Sequence, residues 1–435
     1  MEDKKNQVSF EEEYSQKPIP SNLRRHWFYA ASVYIGMCAV LACSMAGGGL
    51  IYGLKFSEAV AAMFGGLIAL LILFYIPLGK IGTEQGLNTY YIGECAFGKY
   101  GSNIATSFIV TAIPCIAWYG IEVEIATQAL AAIIPMSKTL YNIITLIFGI
   151  VFALPAMYGI LSMAWLNWVS LPIMVYIIIF GVAKAIMGIG ITGLWTYNPA
   201  QNMGIFWGIN LQIGMIAVGC SFVADYTRWI KNKWSDVAYS GIIGLFPATS
   251  VLTIAGMIMA LSATKLGVKE PWNIVEVMMK LRMPSMALIF VFLLQWTTCI
   301  TAAYSSGLAL KKVFGGSRFY LTFIAAFLGT ILAISGIVSR FLGFVSILAS
   351  WVTPVAGVII TEYYFVSKKK FIQKEGIYLP GLISVLIGGL ISWKTKFFIP
   401  AINGMIIGGL IYYVYHRVLD LFLKPKTDID YSSTK

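Results

Sequence analysis

Apolar segments long enough to cross a bilayer constrain this chain more than any other feature. Residues 59–79, "AVAAMFGGLIALLILFYIPLG", hold no charged side chain. Runs of about 18 residues or more recur along almost the whole length, each able to span a hydrocarbon core of roughly 30 Å as a helix. With 58% hydrophobic and 11% charged residues, the chain is too apolar for a soluble globule. A membrane β-barrel would show alternating segments of about ten residues, and that pattern is absent. The sequence predicts a polytopic helical membrane protein.

Twelve spans are predicted, near 27–53, 57–82, 103–134, 137–158, 162–188, 202–225, 235–263, 284–310, 317–335, 339–366, 378–394 and 397–416. The surplus of Lys and Arg sits in short clusters between them: Lys4, Lys5, Arg24 and Arg25; Arg228, Lys231 and Lys233; Lys311, Lys312 and Arg318; Lys368 to Lys370 with Lys374; Arg417, Lys424 and Lys426. Twelve spans place all of these on one face, the positive-inside signature of cytoplasmic loops with both termini inside. The loop with Lys265, Lys269, Lys280 and Arg282 is the exception, and it also carries Glu270 and Glu276. Interspersion with spans argues against nucleic acid as the partner. The first twenty residues are charged and do not read as a signal peptide.

Inside the third span, "AIPCIAWYGIEVEIATQALAAII" (112–134) places two acids in an apolar run. A charge at a bilayer centre costs roughly 2.5–3.5 kcal/mol on insertion scales, so each acid needs a purpose. On a helix Cys115, Trp118 and Glu122 share one face, whereas Glu124 points elsewhere, with Gln128 one turn beyond it. Trp118 and Glu122 suit a flat ligand that stacks on an indole and donates N–H groups to a carboxylate. Glu124 is expected to bond a neighbouring helix.

Spans one and six are rich in glycine: Gly36 and Gly47 to Gly49 in the first, Gly208, Gly214 and Gly219 in the sixth. Glycine there serves either close packing or a break in the helix. Breaks at matching places in two halves would mark a transport site at mid-membrane. In the eighth span, Leu294, Thr297 and Thr298 put two hydroxyls beside a carbonyl. Such a patch either binds a hard cation with carbonyls freed near Gly36 and Ala39, or merely bonds back along its own helix. Six cysteines without metal-ligand spacing and only two histidines, His26 and His416, leave little for an intramembrane enzyme or a histidine proton relay. A channel stays possible, but it would not concentrate its solute.

The stretches "GLNTYYIGECAFGKYGS", "AWYG", "VADYTRWIKN", "QWTTCITAAYSSGLAL" and "FLGFVSILASWVTPVAGVIITEYYF" resemble, in order, those of the nucleobase:cation symporter-1 family, in particular its cytosine permeases. The resemblance runs from about residue 20 to the last span. It implies an all-α integral membrane protein with twelve transmembrane helices, the first ten in a LeuT-type five-plus-five inverted repeat. The repeats would cover 27–188 and 202–366, two further helices 378–416, and cytoplasmic tails 1–26 and 417–435. By the same resemblance, Trp118 stacks on the substrate, Glu122 stands where relatives keep a substrate-bonding glutamine, and sodium is held by Gly36, Ala39, Leu294, Thr297 and Thr298. Three departures alter the pocket. Cys115 replaces a glutamine, Ile216 (after Gly214 and Met215) replaces the second aromatic, and Cys299, Ile300 and Thr301 replace an asparagine-rich stretch.

The resulting expectation is a plasma-membrane secondary transporter that imports a nucleobase-like heterocycle with sodium and uses no other cofactor. Its alternative is a proton-coupled carrier of the same fold that titrates Glu122 and carries a hydroxymethylpyrimidine, allantoin or hydantoin. Asp225 with Arg228, and Glu362, are expected to be local helix-end contacts.

Overall fold

A computed structural model describes residues 17–158, 164–395 and 397–423. Regular structure among them is helical, apart from one isolated bridge between Arg25 and Ile230. Residues 1–16 and 424–435, including Lys4, Lys5, Lys424 and Lys426, lie outside the described residues, as do 162 and 163 of the fifth predicted span.

The helices are α1 (Phe28–Cys38), α2 (Leu41–Gly53), α3 (Phe56–Gln85), α4 (Lys99–Ile133), α5 (Lys138–Tyr158), α6 (Ala164–Trp195), α7 (Ile205–Thr227) and α8 (Trp234–Lys265). There follow α9 (Ile274–Lys280), α10 (Ser285–Phe314), α11 (Arg318–Ile334), α12 (Val338–Val366), α13 (Leu379–Lys394) and α14 (Pro400–Leu423). Among the described residues, eight helices are long and apolar enough to cross a membrane, or nine if the bent pair α1–α2 is one span. α11 and α13 are apolar but shorter.

α11 shows the membrane pattern in its side chains. Phe323, Ile324, Phe327, Leu328 and Ile331 are exposed, while Ala325, Ala326, Gly329, Thr330 and Ala333 are buried. A soluble helix turns its large apolar residues inward. Here lipid solvates them, and small residues let neighbouring backbones approach.

Two wide-turn stretches have a common cause. Leu70–Tyr75 in α3 and Asn103–Ala112 in α4 are π-helical, and Pro77 and Pro114 follow closely. A proline ring clashes with the carbonyl one turn back and donates no N–H, and a π-turn relieves both problems without ending the span.

The bend of 61° between α1 and α2 is a break at Ala39 and Val40, not at a glycine. Ala39 takes φ −82°, ψ 63°, and Val40 is extended. Gly47 to Gly49 instead serve packing. A side chain on Gly47 would strike the Thr253 carbonyl of α8, one on Gly48 the Pro271 carbonyl, and one on Gly49 the Leu342 side chain of α12. Gly256 of α8 meets the Ser44 backbone of α2 in the same way. The sixth span is likewise uninterrupted at Gly208 and Gly214 and turns only at Phe222 and Val223. Gly214 lies against the Val345 carbonyl of α12.

The α2–α8 contact can be tested. Gly256→Val would force those backbones apart, and overpacking of this kind costs ~1–3 kcal/mol. Its melting temperature in detergent should fall by several degrees. Gly343→Ala, where a Cβ meets nothing within 4 Å, should leave it unchanged.

Candidate binding site at the broken helix

Glu122 lies on α4, is 1% exposed, and its Oε2 has no hydrogen-bond partner. On its helix it falls between Tyr119 and Ala126, which lie in one buried cluster with Cys299 of α10. The acid therefore sits where α4 meets α10. A buried acceptor left unpaired costs ~1–3 kcal/mol, so Glu122 is not serving as a strut between helices.

Glu124, two residues on, does serve as one. Its Oε2 accepts from Val338 N at 2.8 Å and its Oε1 from Gln128 Nε2 at 3.0 Å. Gln128 Oε1 accepts in turn from Asn273 Nδ2 at 2.9 Å, and Trp272 Nε1 donates to Val338 O at 3.0 Å. These bonds tie α4, the start of α12 and the segment 271–273 into one closed network. Trp272 also packs edge-on against Tyr52 of α2 at 5.3 Å.

Trp118 is half-buried, and its ring meets Phe344 at 5.2 Å and Phe341 at 6.0 Å, both on α12 and both edge-on. Its aromatic neighbours thus come from the tenth predicted span, a source the sequence reading missed although "FLGF" lay in plain view. Met215 and Ile216 are buried on α7. Cys115 is buried on α4. Tyr226 packs on Tyr34 of α1 at 5.6 Å, and the Tyr34 hydroxyl donates to Gly219 O at 2.8 Å, just before α7 turns. The two interrupted helices are pinned together there.

On α10 the hydroxyls of Thr297 and Thr298 both donate to Leu294 O, at 2.7 and 3.2 Å. This is the back-bonded geometry. Their oxygens keep lone pairs for a cation, but Leu294 O must release these donors to become a ligand. Ala39 N bonds to Ile35 O at 2.9 Å, closing α1 at the break, and a Cβ on Gly36 would meet nothing within 4 Å. α1 and α2 pack chiefly on α8, whereas α10 packs chiefly on α4 and α11, so the two halves of the expected ion set stand on different bodies. Thr301 is exposed on α10.

The helix-end residues have local partners. Asp225 Oδ1 accepts from Thr89 N at 2.7 Å, and Arg228 Nε donates to Asp225 O at 3.2 Å. Glu362 pairs with Lys374 at 3.0 Å and accepts from Tyr412 at 2.7 Å. Two surface cavities, of about 460 Å³ on α13 and α14 and about 220 Å³ between α4, α5 and α10, have largely apolar walls; Glu122 lines neither.

Residues 18–381 match the family of permeases for cytosine/purines, uracil, thiamine and allantoin. The chain belongs to this family. It is a permease and not an enzyme. The cytosine permease of Escherichia coli K12 is 25% identical over 412 residues, covering 89% of this chain and 94% of that protein. A hydantoin permease of Microbacterium maritypicum is 24% identical over 388 residues, covering 81% and 76%. Among solved structures, Mhp1 in its inward-facing conformation superposes with a TM-score of 0.81 at 16% identity over 93% of both chains. Mhp1 in a closed conformation with bromovinylhydantoin bound gives 0.75 at 17% identity over 95% of this chain and 97% of that one. These likenesses establish the permease's fold.

The two acids of α4 should separate experimentally. Glu124→Leu strands Val338 N and Gln128, and each buried unpaired group costs ~1–3 kcal/mol. The permease should lose several degrees of melting temperature and gain hydrogen exchange at Val338 and along 271–281. Glu122→Gln should do neither.

Proposed function

We propose that this permease is a secondary-active symporter that imports a nucleobase-like heterocycle together with sodium by alternating access. The observation that carries the reading is the buried Glu122, whose Oε2 has no hydrogen-bond partner, one turn from Trp118. A flat ring with N–H donors would stack on Trp118 and donate to Glu122. Cys115, Met215, Ile216 and Thr301 would complete the pocket, and Gly214 would hold α7 against α12. The names of its relatives place cytosine, other pyrimidines and purines, and hydantoins among the substrates to test. Donor-rich or cationic rings fit an ionised Glu122 better than rings with two carbonyls.

In this reading twelve helices cross the plasma membrane with both tails cytoplasmic, as two inverted five-helix repeats (27–188, 202–366) followed by 378–416. The 271–273 segment and the Glu124 network would then shut the extracellular side. Sodium would sit among the carbonyls of Gly36, Ala39 and Leu294 and the hydroxyls of Thr297 and Thr298, once the back-bonds to Leu294 O are released. Ion and substrate would raise each other's affinity by the same factor.

Uptake of labelled cytosine into proteoliposomes tests this. Accumulation should follow an inward sodium gradient and ignore a proton gradient. Thr298→Ala should raise the half-saturating sodium concentration at least tenfold, the equivalent of about 1.4 kcal/mol. Accumulation driven by protons alone would overturn sodium coupling.

The unpaired Oε2 also supports a second reading, a proton-coupled carrier in which Glu122 takes up the proton. Glu122→Gln would then abolish pH-dependent accumulation yet retain exchange. A change in substrate choice alone would assign Glu122 to recognition.

A further inference from the structure

Gln295 lies on α10, is 0% exposed, and has no partner for either its Oε1 or its Nε2. It belongs to one buried stripe of that helix, with Leu288, Val291, Cys299 and Ser306. α10 packs most extensively on α4, and Cys299 of that stripe lies in one buried cluster with Cys115, Tyr119, Val123 and Ala126 of α4. Gln295 precedes Cys299 by one turn, and Glu122 shares the α4 face of Tyr119 and Ala126. Two uncompensated polar side chains thus stand on facing helices, one an acceptor only, the other a donor and an acceptor. Gln212 of α7 is also buried and unpartnered, but its Cβ and Cγ abut Gly66 in the α3–α7 contact, away from α4.

Resting on the transport reading above, we propose that Gln295 is a second recognition residue of the Glu122 site. An amide pairs with a ring nitrogen that has an amino group beside it, donating to the nitrogen and accepting from the amino N–H. Glu122 takes a further N–H of the same ring. A lactam edge, a carbonyl beside an N–H, satisfies the same amide with its two ends exchanged, so the pair takes rings that offer one donor–acceptor edge and a further N–H. Gln295 also follows Leu294 directly and precedes Thr297 by two residues, so the ring contact and the expected ion contacts lie on one turn of α10. A ring held by Gln295 would steady the turn that must present Leu294 O and the two hydroxyls to sodium.

The test uses the purified full-length permease, binding of cytosine, 2-aminopyrimidine, uracil and hydantoin with and without sodium, and the variants Gln295→Leu and Gln295→Met. Removing an unpaired buried amide relieves a desolvation cost, so both variants should melt at or above the wild-type temperature. Wild type should bind at least one of these rings. The variants should lose tenfold to a hundredfold for every ring that wild type binds. A fall in melting temperature for both variants would show Gln295 to be structural and overturn the inference. So would unchanged binding. Failure of wild type to bind any of the four would instead count against the transport reading itself.

Discussion

A helix interrupted inside an apolar bundle leaves carbonyls and N–H groups that lipid cannot bond, and the rest of this structure is arranged around that difficulty. Ala39 N closes α1 onto Ile35 O, and the Cys43 thiol donates to Cys38 O at 3.2 Å. The Tyr34 hydroxyl donates to Gly219 O just before α7 turns. The break is therefore a supported feature, held on one side by the glycine-lined contact with α8 and on the other by Tyr34. Backbone groups so near a change of direction are those that a small movement could turn toward an ion.

The two acids of α4 show how burial alone fails to define a role. Both are nearly inaccessible. Glu124 has two donors on its carboxylate, Val338 N of α12 and Gln128 of its own helix, and Gln128 is bonded in turn to Asn273, so its charge stabilises one arrangement of these parts of the bundle. Glu122 is as deeply buried and keeps an unpaired oxygen. A protein does not gain stability from such a group, and the bland explanation, a helix-to-helix tie, requires a donor the structure does not supply. What distinguishes the pair is hydrogen-bond accounting, and two residues of sequence separation suffice to change it.

How far the sequence carried the argument follows from the kind of signal each feature leaves. Span positions were legible because crossing a bilayer demands long apolar runs; helices lie at each predicted segment, shifted by a few residues at most ends. The different faces of Glu122 and Glu124 followed from helical spacing. The position of the break did not. Glycine was the visible candidate, but Gly47 to Gly49 permit contact with α8, 271–273 and α12, and the backbone departs at an alanine and a valine. Propensity is local, whereas the break is imposed by what α8 and α7 leave room for. Phe341 and Phe344 were missed because partners across helices carry no spacing signal. Gln295 stood inside a quoted motif, and only its burial without a partner made it conspicuous.

The ion site is where local geometry and the transport reading pull in different directions. Thr297 and Thr298 satisfy Leu294 O within one helix, which is the lowest-energy use of those hydroxyls when no cation is near. A cation would compete with those bonds for the same carbonyl, and it would also need α1 to lie against α10, which the packing does not provide. Both requirements are met together if the body holding α1, α2 and α8 swings toward the one holding α4 and α10. A ring gripped by Trp118 and Glu122 would favour that swing if α1 and α2 supplied its far wall. Coupling then needs no relay between distant sites. One closure would complete both the ring's walls and the ion's ligand shell, and neither guest alone would obtain the full set of contacts.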